Sequence, residues 1–265
     1  MKKSTVSEME SFVASNCNEA SLFMLVQEQF KKAKFDWGNM SSRNNSKLAS
    51  DEEKSNHAHS DSKVKEILKD DVITSFIPGY QVMDKGSIYQ SEFAALCVDM
   101  RNSSAHFKKI NSLSKIDSGL HRIFIETSTL ITAVAHVAKQ KGGATTEILG
   151  DGALILFPMN KKRKSVIEDA LYVANKSINT LLRYVNHLLW EQYKLPPLSI
   201  GIGISHSHAM VKVIDINGCY HPKVIGQCIW EASKLSNGNN KIFISRNSFS
   251  LLDSINTNNF EVKDV

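Results

Sequence analysis

From Phe93 to Asp99 the chain reads Phe-Ala-Ala-Leu-Cys-Val-Asp, a continuous apolar run closed by one carboxylate, which predicts a buried strand. Apolar residues at helical spacing follow from Leu120 to Ala138. Thr145–Leu149 and Ala153–Phe157 are two β-type runs separated by Gly150-Asp151-Gly152, a hairpin signal. Val166–Tyr193 predicts a long amphipathic helix, closed by Pro196-Pro197. Leu198–Ile204 predicts another strand and Met210–Ile214 its return, with His206 and His208 on a surface turn between them. Ile225–Leu235 reads as helix, Lys241–Ser245 as strand and Ser248–Leu252 as a short helix. Strand, helix, hairpin, helix, strand is the split βαβ order. It predicts an α+β, ferredoxin-like βαββαβ domain with an antiparallel sheet and helices on one face.

The first ninety residues are patterned differently. Leu22, Leu25, Val26, Phe30 and Phe35 make Glu19–Trp37 an amphipathic helix. Gly38–Ser62 is rich in Ser, Asn, Lys and Asp, too polar for a core, and reads as a flexible insertion or linker. A short helix is expected over Lys63–Asp70, and Pro78-Gly79 and Lys85-Gly86 punctuate the approach to the main domain. The division expected is a helical N-terminal segment 1–90, a main domain 91–255 and a tail 256–265.

Composition narrows the class. The 265 residues are 42% hydrophobic and 22% charged, which excludes collagen-like, wholly disordered and disulfide-scaffold chains. The longest apolar stretches, Leu22–Val26 and Ala153–Phe157, fall far short of the ~20 residues of a membrane span. No apolar core follows Lys2 and Lys3, so neither export nor membrane association is expected, and Cys17, Cys97, Cys219 and Cys228 read as reduced cytoplasmic thiols. The net charge is +5. Lys161-Lys162-Arg163-Lys164 reads as a solvated helix start; it lacks the interleaved aromatics of a nucleic-acid surface. A positive balance also suits an anionic small substrate. The pairs His57/His59 and His206/His208 lack further metal ligands, and Gly201-Ile202-Gly203 lacks the third glycine of a dinucleotide site.

Two carboxylates stand out by position. Asp99 ends the first core strand and Asp151 sits at the hairpin tip, and in this topology both reach one end of the sheet. Convergent aspartates holding divalent cations are the minimum apparatus of two-metal phosphoryl chemistry, for which magnesium or manganese suits the oxygen ligands. After Asp99, Met100-Arg101-Asn102-Ser103-Ser104 leads into a helix. Asn102, Ser103 and Ser104 there offer backbone N–H groups and hydroxyls to phosphate; the alternative is that Asn102 or Ser104 is only an N-cap.

Val98-Asp99-Met100-Arg101-Asn102-Ser103-Ser104, Glu147-Ile148-Leu149-Gly150-Asp151-Gly152, Ser199–Ile204 and Ile225–Leu235 resemble, in order, the motifs of class III nucleotidyl cyclases. The resemblance covers about Phe93–Ser245. It implies conversion of a nucleoside triphosphate to a 3′,5′-cyclic monophosphate and pyrophosphate, by a homodimer whose active sites span the interface. It further implies that Asp99, Asp151 and the Met100 carbonyl hold two Mg²⁺ or Mn²⁺ ions, and that Asn102–Ser104 binds the triphosphate. Glu147 and Lys223 fall where the family reads the base. Trp230 and Lys234 fall where it places a ribose-orienting Asn and a transition-state Arg. Lys263 weakly resembles a C-terminal phosphate lysine.

The departures point to a particular branch. Adenylate cyclases pair Lys with Asp at the base positions and guanylate cyclases Glu with Cys; this chain has Glu147 and Lys223. A carboxylate accepts from a base N–H and an ammonium donates to a base carbonyl. Uracil, cytosine and guanine each offer such a pair of groups, whereas adenine has no carbonyl. Lys234 keeps the positive charge but lacks the planar fork of Arg. The Met-Arg-Asn-Ser-Ser turn and the lysine-for-arginine exchange resemble the bacterial pyrimidine cyclases of the Pycsar antiphage system, which make cyclic UMP or cyclic CMP as a signal for a downstream effector. UTP is favoured here over CTP. The rival readings are a guanylate or adenylate cyclase, a diguanylate cyclase, whose signature hairpin is absent, and a degenerate cyclase-like nucleotide-binding module.

Overall fold

A computed structural model describes residues 17–47, 72–108, 115–160, 162–252 and 260–265. The first described element is helix α1 (Cys17–Lys47), which continues through residues 38–47 where polar composition predicts a linker. A helix already nucleated by packing extends readily into Ser, Asn and Lys, whose helix propensities differ from alanine's by only about 0.7 kcal/mol or less. Residues 48–62 of that stretch, His57 and His59, Lys161, and the helix expected over Lys63–Asp70 lie outside the described residues. The buried stripe of α1 is Phe23, Val26, Phe30 and Ala33, while Phe35, expected on that face, is exposed. Phe23 packs edge-on against Tyr184, and Trp37 stacks on His121 with centroids 4.4 Å apart.

A small hairpin, β1 (Val72–Thr74) and β2 (Val82–Asp84), precedes the main sheet. The remaining order is β3 (Ile88–Met100), α2 (Ser103–His106), α3 (Gly119–Gln140), β4 (Ala144–Ile148), β5 (Gly152–Pro158), α4 (Arg163–Lys176), α5 (Leu182–Tyr193), β6 (Ile200–Ile216), β7 (Cys219–Gly226), α6 (Gln227–Leu235), β8 (Lys241–Ser245), α7 (Arg246–Phe249) and β9 (Glu261–Lys263). A π-helical turn, Ser177–Leu181, joins α4 to α5 within the expected long helix. The basic run opens α4, where Arg163 is ion-paired with Glu92 at 3.0 Å.

The seven-stranded sheet has the order β4-β5-β3-β6-β8-β9, with β7 paired to β6. Its βαββαβ centre is the ferredoxin-like arrangement, antiparallel through β4, β5, β3 and β6; β8 and β9 add parallel neighbours. Alternation along β3 sends Ala94, Leu96, Val98 and Met100 to the core under α1, α3, α4 and α5. Phe93, Ala95 and Cys97 face the other side, against Val211, Val213, Val224, Cys228 and Ala232. One helix, α6, therefore lies opposite the others. Covering both faces is what makes β3 apolar at successive positions, each fully buried Leu, Ile or Phe stabilising by about 1.5–3 kcal/mol over exposure.

The largest departure from expectation is β6. Its 17 residues run unbroken from Ile200 to Ile216, so Met210–Ile214 continues the strand and His206 and His208 lie within it. The return strand is β7, turned by Asn217-Gly218, both at positive φ (54° and 82°), as a two-residue hairpin demands. The β6–β7 arm leaves the sheet centre and folds over the face bearing Phe93, Ala95 and Cys97. No helix among the described residues is long and apolar enough to cross a membrane. Cys97, Cys219 and Cys228 are free thiols.

Candidate active site

Asp99 lies opposite Gly152 on one side and Gly201 on the other. By alternation it shares a face with Cys97 and Ala95, the face beneath the arm and α6. Asp151 immediately precedes Gly152 in a tight turn, where Leu149 N–H donates to the Gly152 carbonyl at 2.8 Å. Gly150, at φ 73°, takes the left-handed conformation that this turn requires. The register thus places both residues at one rim of the sheet. A Cβ on Gly152 would stand 2.6 Å from the Val98 carbonyl and 3.4 Å from Asp99 Oδ1, so glycine keeps this rim open. Two carboxylates and the Met100 carbonyl form a hard-oxygen set that fits magnesium or manganese, ions that complete their shells with water and phosphate oxygens. Among the described residues no group of three or more His, Cys, Asp or Glu side chains gathers to hold a metal. Arg101 forms an ion pair with Asp99, and its Nε is buried without a hydrogen-bond partner.

The Asn102–Ser104 turn differs from the expected helix terminus. Asn102 is left-handed at φ 58° and ψ 25°, and its side chain caps nothing. Helix α2 is a single turn, too short for a substantial dipole. What the turn offers an anion is backbone N–H groups and the Ser103 and Ser104 hydroxyls. Behind it lie residues that the sequence reading overlooks. Fully buried Glu126 accepts from Arg122 Nε at 2.8 Å and pairs with His106 Nδ1 at 2.7 Å. A charged i,i+4 pair on the apolar face of Leu120–Ala138 was the available signal.

Glu147 and Lys223, 76 positions apart in the chain, form an ion pair of 3.0 Å. Two local features bring them together. A β-bulge after Thr145 shifts β4 so that Glu147 lies opposite Leu154, on the face beneath the arm. The Asn217-Gly218 hairpin returns β7 along β6, carrying Lys223 to that same side. A cavity of about 220 Å³ adjoins the pair, lined by Thr74, Phe76, Thr146, Glu147, Pro222 and Val224 among others. Phe76 on the cavity wall, and Ile148, Leu149 and Ile225 close to the pair in the chain, are exposed apolar residues.

Trp230 and Lys234 sit one turn apart on α6, with the Lys234 Nζ 5.9 Å from the Trp230 ring centre. Trp230 is exposed, while Cys228, Glu231, Ala232 and Leu235 form the buried side of the helix. Gly201 and Gly203 allow this docking: a Cβ on either would fall 2.0–2.1 Å from a carbonyl oxygen, of Ser236 or Ala232. Lys263 lies 3.3 Å from the Phe243 ring centre on the β8–β9 edge. Among the described residues, no ion pair or hydrogen bond joins Asp99 or Asp151 to Glu147, Lys223, Trp230 or Lys234 within one chain.

The fold is that of class III nucleotidyl cyclase domains. The guanylyl cyclase Cya2 superposes with a TM-score of 0.54 and 21% identity, over 64% of this chain and 81% of its own. The adenylyl cyclase CyaB from P. aeruginosa gives 0.54 and 16%, over 62% of this chain and 82% of its own. A class III adenylyl cyclase-like ATP-binding protein from Pseudomonas aeruginosa gives 0.55 and 15%, over 63% of this chain and 36% of its own. No protein-family model and no curated protein matches the sequence.

Proposed function

We propose that this protein is a nucleotide cyclase that converts a pyrimidine nucleoside triphosphate, UTP before CTP, to its 3′,5′-cyclic monophosphate and pyrophosphate. What supports the cyclase reading is the register that pairs Asp99 with Gly152, next to Asp151, on a fold shared with adenylyl and guanylyl cyclases. Bound Mg²⁺ or Mn²⁺ there, held by Asp99, Asp151 and the Met100 carbonyl, supplies charge neutralisation and a more acidic 3′-hydroxyl. The chain's own groups do the rest. Asn102–Ser104 holds the triphosphate through N–H groups and hydroxyls. Lys234 offsets charge on the transferring phosphoryl oxygens. As the 3′-oxygen bonds to the α-phosphorus, the bond to the pyrophosphate oxygen breaks and the hydroxyl proton passes to solvent.

Base choice rests on Glu147 and Lys223, one acceptor and one donor 3.0 Å apart. The pair matches the N3–H and O4 of uracil, and the N4 amino group and O2 of cytosine. Guanine, through N1–H and O6, is the next candidate. A homodimer is supported by exposed Ile148, Leu149, Ile225 and Trp230, apolar groups flanking polar residues that make no contact with the aspartates in one chain. In such a dimer one subunit supplies the aspartates and the other Glu147, Lys223, Trp230 and Lys234. The product would act as a second messenger of antiphage defence through a separate effector.

Incubation with ATP, GTP, CTP and UTP and Mn²⁺, with products resolved by mass, tests activity and base choice together. Cyclic UMP or cyclic CMP is the expected product, and the absence of any cyclic nucleotide overturns the proposal. Asp151→Ala is expected to abolish turnover while light scattering still reports a dimer; full activity in that variant removes Asp151 from the metal site. A binding-only role is the second reading, favoured by the Asp99–Arg101 ion pair and by Trp230 at the ribose-orienting position.

A further inference from the structure

Resting on the cyclase reading, we propose that His106 is a positioning residue: anchored by Glu126 and Arg122, it holds the Asn102–Ser104 turn in its triphosphate-binding shape. On its upstream side the turn is tied to the neighbouring strand by the Arg101 N–H, which donates to the Ser199 carbonyl at 2.8 Å; the other side needs a second anchor. Helix α2 buries none of its residues, and Asn102 makes no capping bond. With no fully buried apolar side chain in α2, hydrophobic contact contributes little at the segment assigned to the most highly charged part of the substrate.

A different attachment replaces it. Glu126 is fully buried on α3, beside Ile125 and near Leu130 in sequence. A carboxylate so placed costs several kcal/mol unless its lone pairs are used. Arg122, one turn earlier on the same helix and only 2% exposed, already neutralises it through Oε1 at 2.8 Å. The second oxygen, Oε2, is spent on His106 Nδ1 at 2.7 Å. Because a carboxylate only accepts, the imidazole proton is assigned to Nδ1. That bond spans 20 residues and ties the last residue of α2, two positions after Ser104, to the sheet-packed helix α3. Close backbone packing adds registry: a Cβ on Gly119 would lie 2.0 Å from the Phe107 carbonyl oxygen, so α2 and the start of α3 fit only one way. A turn ordered in advance avoids an ordering cost when the triphosphate binds.

The test uses the full chain with Mn²⁺ and inorganic tripolyphosphate as the probe, read by titration calorimetry. His106→Ala is expected to weaken tripolyphosphate binding about tenfold, the size of one lost charge-assisted hydrogen bond. Where turnover is measured, KM for the nucleotide should rise similarly and kcat change less. His106→Asn, whose amide N–H can reach the position of Nδ1–H, is expected to restore binding to within about twofold. Melting temperature and circular dichroism confirm that each variant is folded. Wild-type affinity in folded His106→Ala, or no recovery in folded His106→Asn, overturns the proposal. Should the wild type bind tripolyphosphate, lose it on His106→Ala and yet form no cyclic nucleotide, the positioning role stands and the cyclase reading falls. No tripolyphosphate binding by the wild type overturns the positioning role.

Discussion

Replacing Glu147 by alanine separates two quantities that differ in size. In the free protein Glu147 and Lys223 are 3.0 Å apart with side chains 28% and 39% exposed. A pair that accessible is screened by water and contributes about 0.5–1 kcal/mol. Its loss should lower the melting temperature by roughly 1–4 °C in a domain of this size. In the proposed role the carboxylate would instead accept from a base N–H, with the bound nucleotide excluding water from the pair. A hydrogen bond to a charged group there is worth about 1.5–3 kcal/mol, or roughly 10- to 150-fold in kcat/KM. The assay is kcat/KM for each of the four triphosphates with Mn²⁺, beside a thermal melt. Selectivity among bases should collapse while the fold is nearly untouched. Lys223→Ala should act alike, and the double variant should cost less than the sum of the singles, because each leaves the other charge without its partner. An unchanged product profile, or a fall in activity no larger than the fall in stability accounts for, would refute the assignment.

Two further expectations concern the scaffold. Burial lowers the pKa of His206 and of His121 below the usual 6.5; Glu92 opposes this at His206, and Asp117 at His121. With the folded pKa depressed, the unfolded chain binds more protons just below pH 6.5, so stability falls on acidification through that value toward the folded pKa. Melting temperature against pH should show this decline, and His206→Gln should flatten part of it; an unaltered slope in that variant would remove His206 from the account. Gly203→Ala places a Cβ 2.1 Å from the Ala232 carbonyl. It should push α6 from the sheet at a cost of about 1–3 kcal/mol in urea unfolding, and a wild-type midpoint would contradict that packing.

The elements that were legible in the sequence are those whose pattern is local. The apolar run before Asp99, the helical spacing after Leu120 and the Gly-Asp-Gly turn each report a strand, a helix or a hairpin without help from elsewhere, and β8 lies where its apolar pattern puts it. The same local signals were misread where tertiary contact overrides them. His206-Ser207-His208 looks like a turn, yet Ser207 Oγ accepts from the Cys228 N–H and His206 pairs with Ser248, so polar side chains are satisfied inside a continuous strand. The true return is made at Asn217-Gly218, both at positive φ. Phe35 fits the apolar stripe of α1 by spacing, but among the described residues no element covers it.

For the site, position along the chain was enough to single out Asp99 and Asp151, because strand ends and tight turns are short-range features, whereas Glu147 and Lys223 were named only through the resemblance to cyclase motifs. Their geometry was not encoded at that range. Glu147 meets Lys223 only because a bulge in β4 re-aims one side chain and a long hairpin folds the other across the sheet. His106 and Glu126 are joined because a single-turn helix docks on α3. Periodicity records which side of an element is apolar, whereas these pairings depend on how separate elements pack, and packing is set by the whole core at once.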